Sequence, residues 1–276
     1  MRNNIKLVAS DLDGTLINRE GQIGPKTKEV LTLMHEKGVL FVPCTGRAYV
    51  ETPDYFKKNS HLKYLVTSNG ALISDSEGQP IQTLSLSMEK AREVMEKCEP
   101  VSSYWTVDVD GVLYSSETLN DDKDLIGETE ERIQEYRKTR IFGYHTDFLN
   151  SSTGSVRKLH FMVKNAEHKK EVLNALKDVK DIMITWSGHS NVEVQHPLCK
   201  KGNAIEVIMQ KENITSSESV GFGDNTNDLS LFEAVGLKVA VENASLDLKD
   251  ASDDIAESNQ KEGVALYISQ LIGGTK

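Results

Sequence analysis

The sequence predicts an α/β protein: a Rossmann-like, doubly wound parallel sheet interrupted by an inserted α+β domain. Three observations carry this. Short apolar runs, Ile5 to Ala9, Val39 to Val42 and Tyr64 to Thr67, read as strands buried on both faces. Helical patterns separate them, which is the rhythm of βαβ units. After residue 86 hairpins and helices replace that rhythm, and it returns near residue 189. The expected division is therefore a core of residues 1–86 and 189–276 with an insertion at 87–188.

The first apolar run ends in Asp11-Leu12-Asp13-Gly14-Thr15-Leu16. Continued strand alternation would put Asp11 and Asp13 on one side, and Gly14 lets the chain turn away. Carboxylates that end a buried strand lie at the carboxyl edge of a sheet, where open α/β folds bind ligands. Asn18 to Pro25 is polar and turn-rich. Pro25 starts a helix with Val30, Leu31 and Met34 on one face, and Gly38 closes it. Val39 to Val42 is the next strand and delivers Cys44-Thr45-Gly46-Arg47. Arg47 onward is expected to be helical, interrupted near Pro53. Tyr64 to Thr67 runs into Ser68-Asn69-Gly70-Ala71, and Leu72-Ile73 with Ile81 to Leu86 forms a hairpin around Ser76-Glu77-Gly78.

In the insertion, Ser87 to Cys98 is a predicted helix, and Ser103 to Val109 pairs with Val112 to Ser115 through Asp110-Gly111. Glu117 to Asp124 reads as an acidic loop and Lys123 to Lys138 as a charged amphipathic helix. Val156 to Val163 is a strand, Glu167 to Lys177 a helix and Ile182 to Trp186 a strand. Asn191 to Val194 is expected to return the chain to the core. Helices follow at Lys201 to Lys211, Thr226 to Ala234, Ser245 to Ala251 and Gly263 to Leu271, with strands at Ser219 to Phe222 and Leu237 to Val241.

A chain of 276 residues with 38% hydrophobic and 27% charged residues is ordinary for a globular protein. Its net charge of −10 argues against nucleic acid or an anionic membrane as the main partner. It leaves room for a small phosphorylated substrate in a local cationic pocket. No stretch reaches the roughly 20 apolar residues of a membrane span. Met1-Arg2-Asn3-Asn4 runs straight into the first strand, so a cytoplasmic protein is expected, as a monomer or weak homo-oligomer. Cys44, Cys98 and Cys199 form no metal-like pair and read as reduced, packed thiols. The seven histidines include no zinc pattern, and a P-loop is absent.

Four segments together resemble the motifs of the haloacid dehalogenase (HAD) superfamily of phosphatases. Asp11-Leu12-Asp13-Gly14-Thr15-Leu16 is similar to motif I, Cys44-Thr45-Gly46-Arg47 to motif II, Lys201-Gly202 to motif III and Gly223-Asp224-Asn225-Thr226-Asn227-Asp228 to motif IV. Their order, and the long insertion between motifs II and III, resemble subclass IIB, the Cof-type phosphatases. The resemblance implies a Mg²⁺-dependent phosphatase acting on a sugar phosphate or phosphorylated cofactor.

Under that resemblance Asp11 is the candidate nucleophile, able to form an aspartyl-phosphate. Asp13 is the candidate general acid and base, a carboxyl close to Asp11 that can hold and return a proton. Asp11, Asp224 and the backbone carbonyl of Asp13 are the expected Mg²⁺ ligands. Asp228, one helical turn beyond Asp224, joins the metal shell or orients the lysine; helix N-terminal charge stabilisation is the plainer account. Leu12, Thr45, Gly46, Lys201 and Asn227 are the expected phosphate contacts. The residues alone leave Lys200 and Lys201 interchangeable, and the family pattern selects Lys201. Arg47 is either a substrate contact or a helix-start ion-pair partner.

Asp108-Val109-Asp110-Gly111-Val112-Leu113 copies motif I except at the threonine, but a hairpin turn accounts for it. The links near Leu84-Ser85-Leu86 and Ser187-Gly188-His189 would let the insertion act as a cap that sets specificity. Two competing functions are a phosphomutase of the phosphomannomutase type and a non-catalytic sensor of a phosphorylated ligand. The first needs a second phosphate site in the insertion. The second has no need of an acid–base pair such as Asp11 and Asp13. Val239-Ala240-Val241-Glu242-Asn243-Ala244 resembles the family's Val-Ala-Met-Gly-Asn-Ala segment with Glu242 in place of glycine, so strain is expected there if the turn requires positive φ.

Overall fold

The computed structural model describes residues 4–122, 130–151, 154–186 and 191–273. The chain divides into two compact units. The first holds Met1–Gly46, Thr52–Gln82 and Lys200–Lys276; the second holds Arg47–Glu51 and Thr83–Cys199.

The first unit opens with β1 (Leu7–Asp11), whose five residues are all buried. Helix α1 (Pro25–Glu36) buries Thr27, Val30, Leu31 and Met34, as its apolar spacing requires. Strands β2 (Leu40–Cys44) and β3 (Tyr64–Thr67) follow, with the short helix α2 (Asp54–Lys57) between them and the hairpin β4 (Leu72–Asp75) and β5 (Pro80–Thr83) after them. Each fully buried Leu or Val contributes about 1.5–3 kcal/mol, and Leu7 and Val8 on β1 with Val42 on β2 are completely covered.

The second unit is an antiparallel-rich sheet with helices. Its elements are α3 (Met88–Cys98), β6 (Trp105–Val109), β7 (Val112–Ser116), α4 (Glu117–Asp121), α5 (Glu130–Lys138), β8 (Arg140–Gly143), α6 (His145–Ser151), β9 (Val156–Met162), α7 (Ala166–Leu176), β10 (Met183–Thr185) and β11 (Asn191–Gln195). The strand order is β10-β11-β9-β6-β7-β8. Val107, Leu159, Phe161, Val192 and Val194 lie in one apolar cluster with Val94 and Met95 of α3 and Val172 and Leu176 of α7. Strand alternation puts Thr106, Asp108, Lys158, His160 and Glu193 on the opposite face.

Several expectations change here. Asn191 to Val194 does not rejoin the first sheet, because β11 pairs antiparallel with β9 and β10. An alternating strand fits either sheet by pattern. Here β11 brings Glu193 to Lys158, whose Nζ lies 3.1 Å from its Oε1, so two otherwise costly buried charges are paired. Glu117 to Asp121, expected as loop, is a helical turn because the Ser116 side chain accepts from the Leu119 amide at its start. Strand β8 and helix α6 had no clear signal in the sequence: β8 is only four residues at the sheet edge. The link near Ser187-Gly188-His189, and the part of the Lys123 to Lys138 helix before Glu130, lie outside the described residues. The motif I look-alike is the β6–β7 hairpin, with Asp110 at φ 49° in its turn.

His160 on β9 faces Glu193 on β11 and Thr106 on β6, and among the described residues its buried Nε2 has no hydrogen-bond partner. Burial pushes its pKa down to about 4; Lys158 and Arg140 reinforce this against Glu193 and Glu51. In an unfolded chain imidazole titrates near about 6.5. Between the two values the unfolded chain binds more protons, so this contribution to stability is full above about pH 6.5 and declines as the pH falls toward about 4. The melting temperature should drop through that window, and His160→Gln should flatten the drop. An identical pH slope in the variant would remove His160 as its source.

The chain then returns to the first sheet through α8 (Lys201–Glu212), β12 (Ser219–Gly223), α9 (Leu229–Ala234), β13 (Leu237–Val241), α10 (Leu246–Asp250), β14 (Asp254–Ala256) and α11 (Gly263–Gly273). The order is β14-β13-β12-β1-β2-β3-β4-β5, with the first six strands parallel. Chain order reverses between β1 and β12, the switch point at which open α/β sheets bind ligands. Among the described residues no helix is long and apolar enough to cross a membrane.

Candidate active site

The carboxyl ends of β1 and β12 supply Asp11 and, immediately after Gly223, Asp224. Burial at the end of β1 raises the pKa of Asp11 well above the ordinary carboxylate value; Lys201 opposes this, while Asp228, Asp224 and Asp13 add to it. Lys201, in the first turn of α8, is completely buried. Its Nζ lies 2.5 Å from Asp11 Oδ1 and 2.6 Å from Asp228 Oδ1. Burial works against a charged lysine, but the two carboxylates outweigh it and hold its pKa above the usual value. Lys200 is exposed at the N-cap of the same helix, so Lys201 is the inward lysine of the pair.

Asp228 is held from two sides. Oδ1 accepts from Lys201, and Oδ2 accepts from the Asp224 and Asn225 amides at 3.0 and 3.2 Å. That second grip is a capping box at the start of the turn Thr226–Asp228. The buried Asp228 side chain thus touches both Lys201 and the start of that turn.

Asp224 is gripped by Thr15, whose Oγ1 donates to Oδ1 at 3.0 Å, and its carbonyl accepts from the Ser245 amide. Burial and the Asp228 charge push its carboxyl up to about 6, against Lys201 and the Thr15 bond. The motif I turn packs directly on it. Gly14 has φ 83°, and a Cβ there would stand 2.4 Å from Asp224 Oδ2. Glycine is required both by the left-handed backbone and by the space. Asp13, on the same turn, is exposed and bridges to Ile17.

Oxygens of Asp11, Asp224 and Asp228 lie within 4.8 Å of one another. Three carboxylates facing one lysine leave an excess of negative charge, and the all-oxygen donor set suits a hard divalent cation such as Mg²⁺. Leu12 is fully buried, so any ligand contact it makes goes through its backbone. Thr45 is buried at the end of β2, where its amide donates to Val66 O at 2.9 Å and its carbonyl accepts from the Asn69 amide at 3.0 Å. Gly46 abuts the Asn69 side chain, and Asn227 Nδ2 is 3.5 Å from Asn69 Oδ1. Arg47 lies in the second unit and donates from Nη1 to the Glu51 carbonyl at 3.2 Å.

Thr15, Asn69 and Asn243 were not singled out for the site by sequence. Asn243 Nδ2 donates to the Gly14 carbonyl at 2.7 Å, and its Oδ1 accepts from the Asn259 amide. The family-like segment around Asn243 was the available signal. Its neighbour Glu242 is not among the positive-φ residues, so the strain expected there is absent; its exposed carboxylate lies 3.6 Å from Lys261 Nζ. Cys44, Cys98 and Cys199 are buried free thiols, and burial pushes Cys98 and Cys199 up to about 12, which makes them inert.

Known proteins resemble this chain along nearly its whole length. The family model described as haloacid dehalogenase-like hydrolase matches residues 8–268. The chain is 28% identical to the 5-amino-6-(5-phospho-D-ribitylamino)uracil phosphatase YwtE of Bacillus subtilis over 98% of this chain and 99% of that protein. It is 25% identical to the phosphatase YwpJ of the same organism, over 97% of this chain and all of that protein. A solved haloacid dehalogenase-like hydrolase from B. subtilis shares the fold with a TM-score of 0.85 at 24% identity, covering 97% of this chain and 100% of that one.

Proposed function

Because the chain belongs to the haloacid dehalogenase-like hydrolase family and is one of its phosphatases, we propose that it hydrolyses a small phosphorylated metabolite through an aspartyl-phosphate on Asp11. The observation that carries this reading is the buried Asp11 carboxylate at the switch point, paired with Lys201 and clustered with Asp224 and Asp228. A sugar phosphate or phosphorylated cofactor is the substrate class. The name of the relative YwtE, a phosphatase of a phosphorylated ribityl compound, supports that choice.

In the first step an Asp11 oxygen attacks phosphorus and the bond to the leaving oxygen breaks, while Asp13 donates a proton to that oxygen. In the second, Asp13 takes a proton from water, the water oxygen attacks phosphorus, and the Asp11–phosphorus bond breaks. Lys201 offsets charge on Asp11 throughout. Thr45, Asn227 and the amides of Leu12 and Gly46 would bind the phosphate oxygens. Asp11, Asp224, Asp228 and the carbonyl of Asp13 would hold Mg²⁺, which neutralises phosphate charge when bound. The second unit would serve as a cap that chooses the leaving group, in a cytoplasmic protein that is monomeric or weakly self-associating.

The test is a screen of phosphorylated metabolites that reads inorganic phosphate. Activity should vanish in excess EDTA and return with Mg²⁺, and Ca²⁺ should restore it poorly because it prefers more ligands at longer bonds. Full activity in excess EDTA would sink the metal assignment. Isomerised product without phosphate release would favour a mutase, and tight binding without turnover would favour a sensor.

A further inference from the structure

The segment that follows β3 is folded in a costly way for which the proposed reaction gives no reason. Ser68, Asn69 and Gly70 have φ values of 49°, 54° and 97° in succession. A non-glycine residue in the left-handed region is strained because its Cβ crowds the following carbonyl, less so for asparagine. Two such residues side by side, with Ser68 and Asn69 only 1% and 3% exposed, persist only where surrounding contacts hold them.

Those contacts reach motifs II and IV and Lys200, the residue just before motif III. The Asn69 amide donates to the Thr45 carbonyl at 3.0 Å. The Asn69 carboxamide lies so close to Gly46 that a Cβ there would stand 3.0 Å from its Oδ1. Gly70 is pressed against the Lys200 carbonyl, 2.5 Å from where its own Cβ would be. Asn227 Nδ2 reaches Asn69 Oδ1 at 3.5 Å. One carboxamide therefore stands between the glycine of motif II and the asparagine of motif IV.

We propose that Asn69 is a positioning residue: its side chain, packed against Gly46, orients Asn227 for phosphate binding. The proposal rests on the reading that Asn227 and Gly46 contact the phosphate. The left-handed backbone is what aims the carboxamide at both segments. A 3.5 Å bond is long, and catalytic hydrogen bonds of this kind tighten when a ligand engages the partner.

The backbone and side-chain parts can be separated. Glycine accepts positive φ at no steric cost, so Asn69→Gly should keep the wild-type melting temperature or exceed it. Asn69→Ala should lower the melting temperature because alanine bears the full strain. Both should lose kcat/KM by a similar factor, on the order of tenfold, with a matching rise in the inhibition constant of inorganic phosphate. A purely structural role predicts instead that activity tracks melting temperature across the pair.

The decisive measurement is a double-mutant cycle. If Asn69 acts through Asn227, Asn69→Gly adds little to the loss already caused by Asn227→Ala. Losses that multiply in the double variant would overturn the proposal, as would wild-type kinetics in Asn69→Gly. Failure of the phosphatase reading looks different, because the unaltered protein would then release no phosphate from any substrate.

Discussion

Asp11→Asn should abolish phosphate release while leaving the fold intact or firmer. The amide cannot form an acyl-phosphate, and loss of a nucleophile that works as part of a concerted set costs on the order of 10⁶ in rate. The stability side follows from electrostatics. Burial, with Asp228, Asp224 and Asp13 nearby, makes ionised Asp11 more costly in the folded chain than in the unfolded one, even with Lys201 beside it. A neutral amide of the same shape removes that cost and still leaves Lys201 its 2.6 Å contact with Asp228. The melting temperature should therefore match or exceed that of the unaltered protein, as expected where function is held at the expense of stability. Asp13→Asn differs, because it spares the nucleophile and slows leaving-group protonation and intermediate breakdown. Normal turnover by Asp11→Asn protein, purified free of host phosphatases, would end the aspartyl-phosphate mechanism.

The parts of this arrangement that the sequence disclosed are those with local signatures. An apolar run ending in Asp11-Leu12-Asp13-Gly14 announces a buried strand and a turn, and β1 ends at Asp11. The spacing of Val30, Leu31 and Met34 announces a helix face, and those residues are the buried ones. What stayed hidden depends on partners far away in the chain. Lys200 and Lys201 look alike until Asp11, 190 residues earlier, selects one of them. Asn191 to Gln195 could belong to either sheet until Lys158 meets Glu193.

Glu51 is the clearest case of this kind. It follows motif II in sequence but belongs with the second unit, where it pairs with Arg140. Burial alone would raise its pKa, yet the charges of Arg140 and Lys158 hold it below the usual value. Asn69 was visible as a turn residue after a strand, and its conformational cost appeared only in three dimensions. Local pattern thus specified the strands and helices of the first sheet, while long-range charge pairing settled the places of Lys201, Glu51 and Glu193.

Lys201→Met should damage both activity and stability, and the two losses have separable origins. Methionine fills much of the volume but leaves Asp11, Asp224 and Asp228 clustered within 4.8 Å with no lysine between them. Removing one partner from a buried ion pair costs about 3–5 kcal/mol, a large share of the roughly 5–15 kcal/mol that keeps a domain folded. The carboxylates would respond by holding a proton, which withdraws Asp11 as a nucleophile and adds to the lost positive charge. A fall in kcat on the order of 10²–10³ follows. Lys201→Arg should not rescue it, since the side chain has no exposure and a planar guanidinium cannot occupy the place of a compact ammonium. Adding Asp228→Asn to Lys201→Met removes one of the stranded charges. That double variant should regain much of the melting temperature and little of the activity. Recovery of both would mean that Lys201 serves the fold alone, and recovery of neither would mean that charge repulsion is not what the lysine relieves.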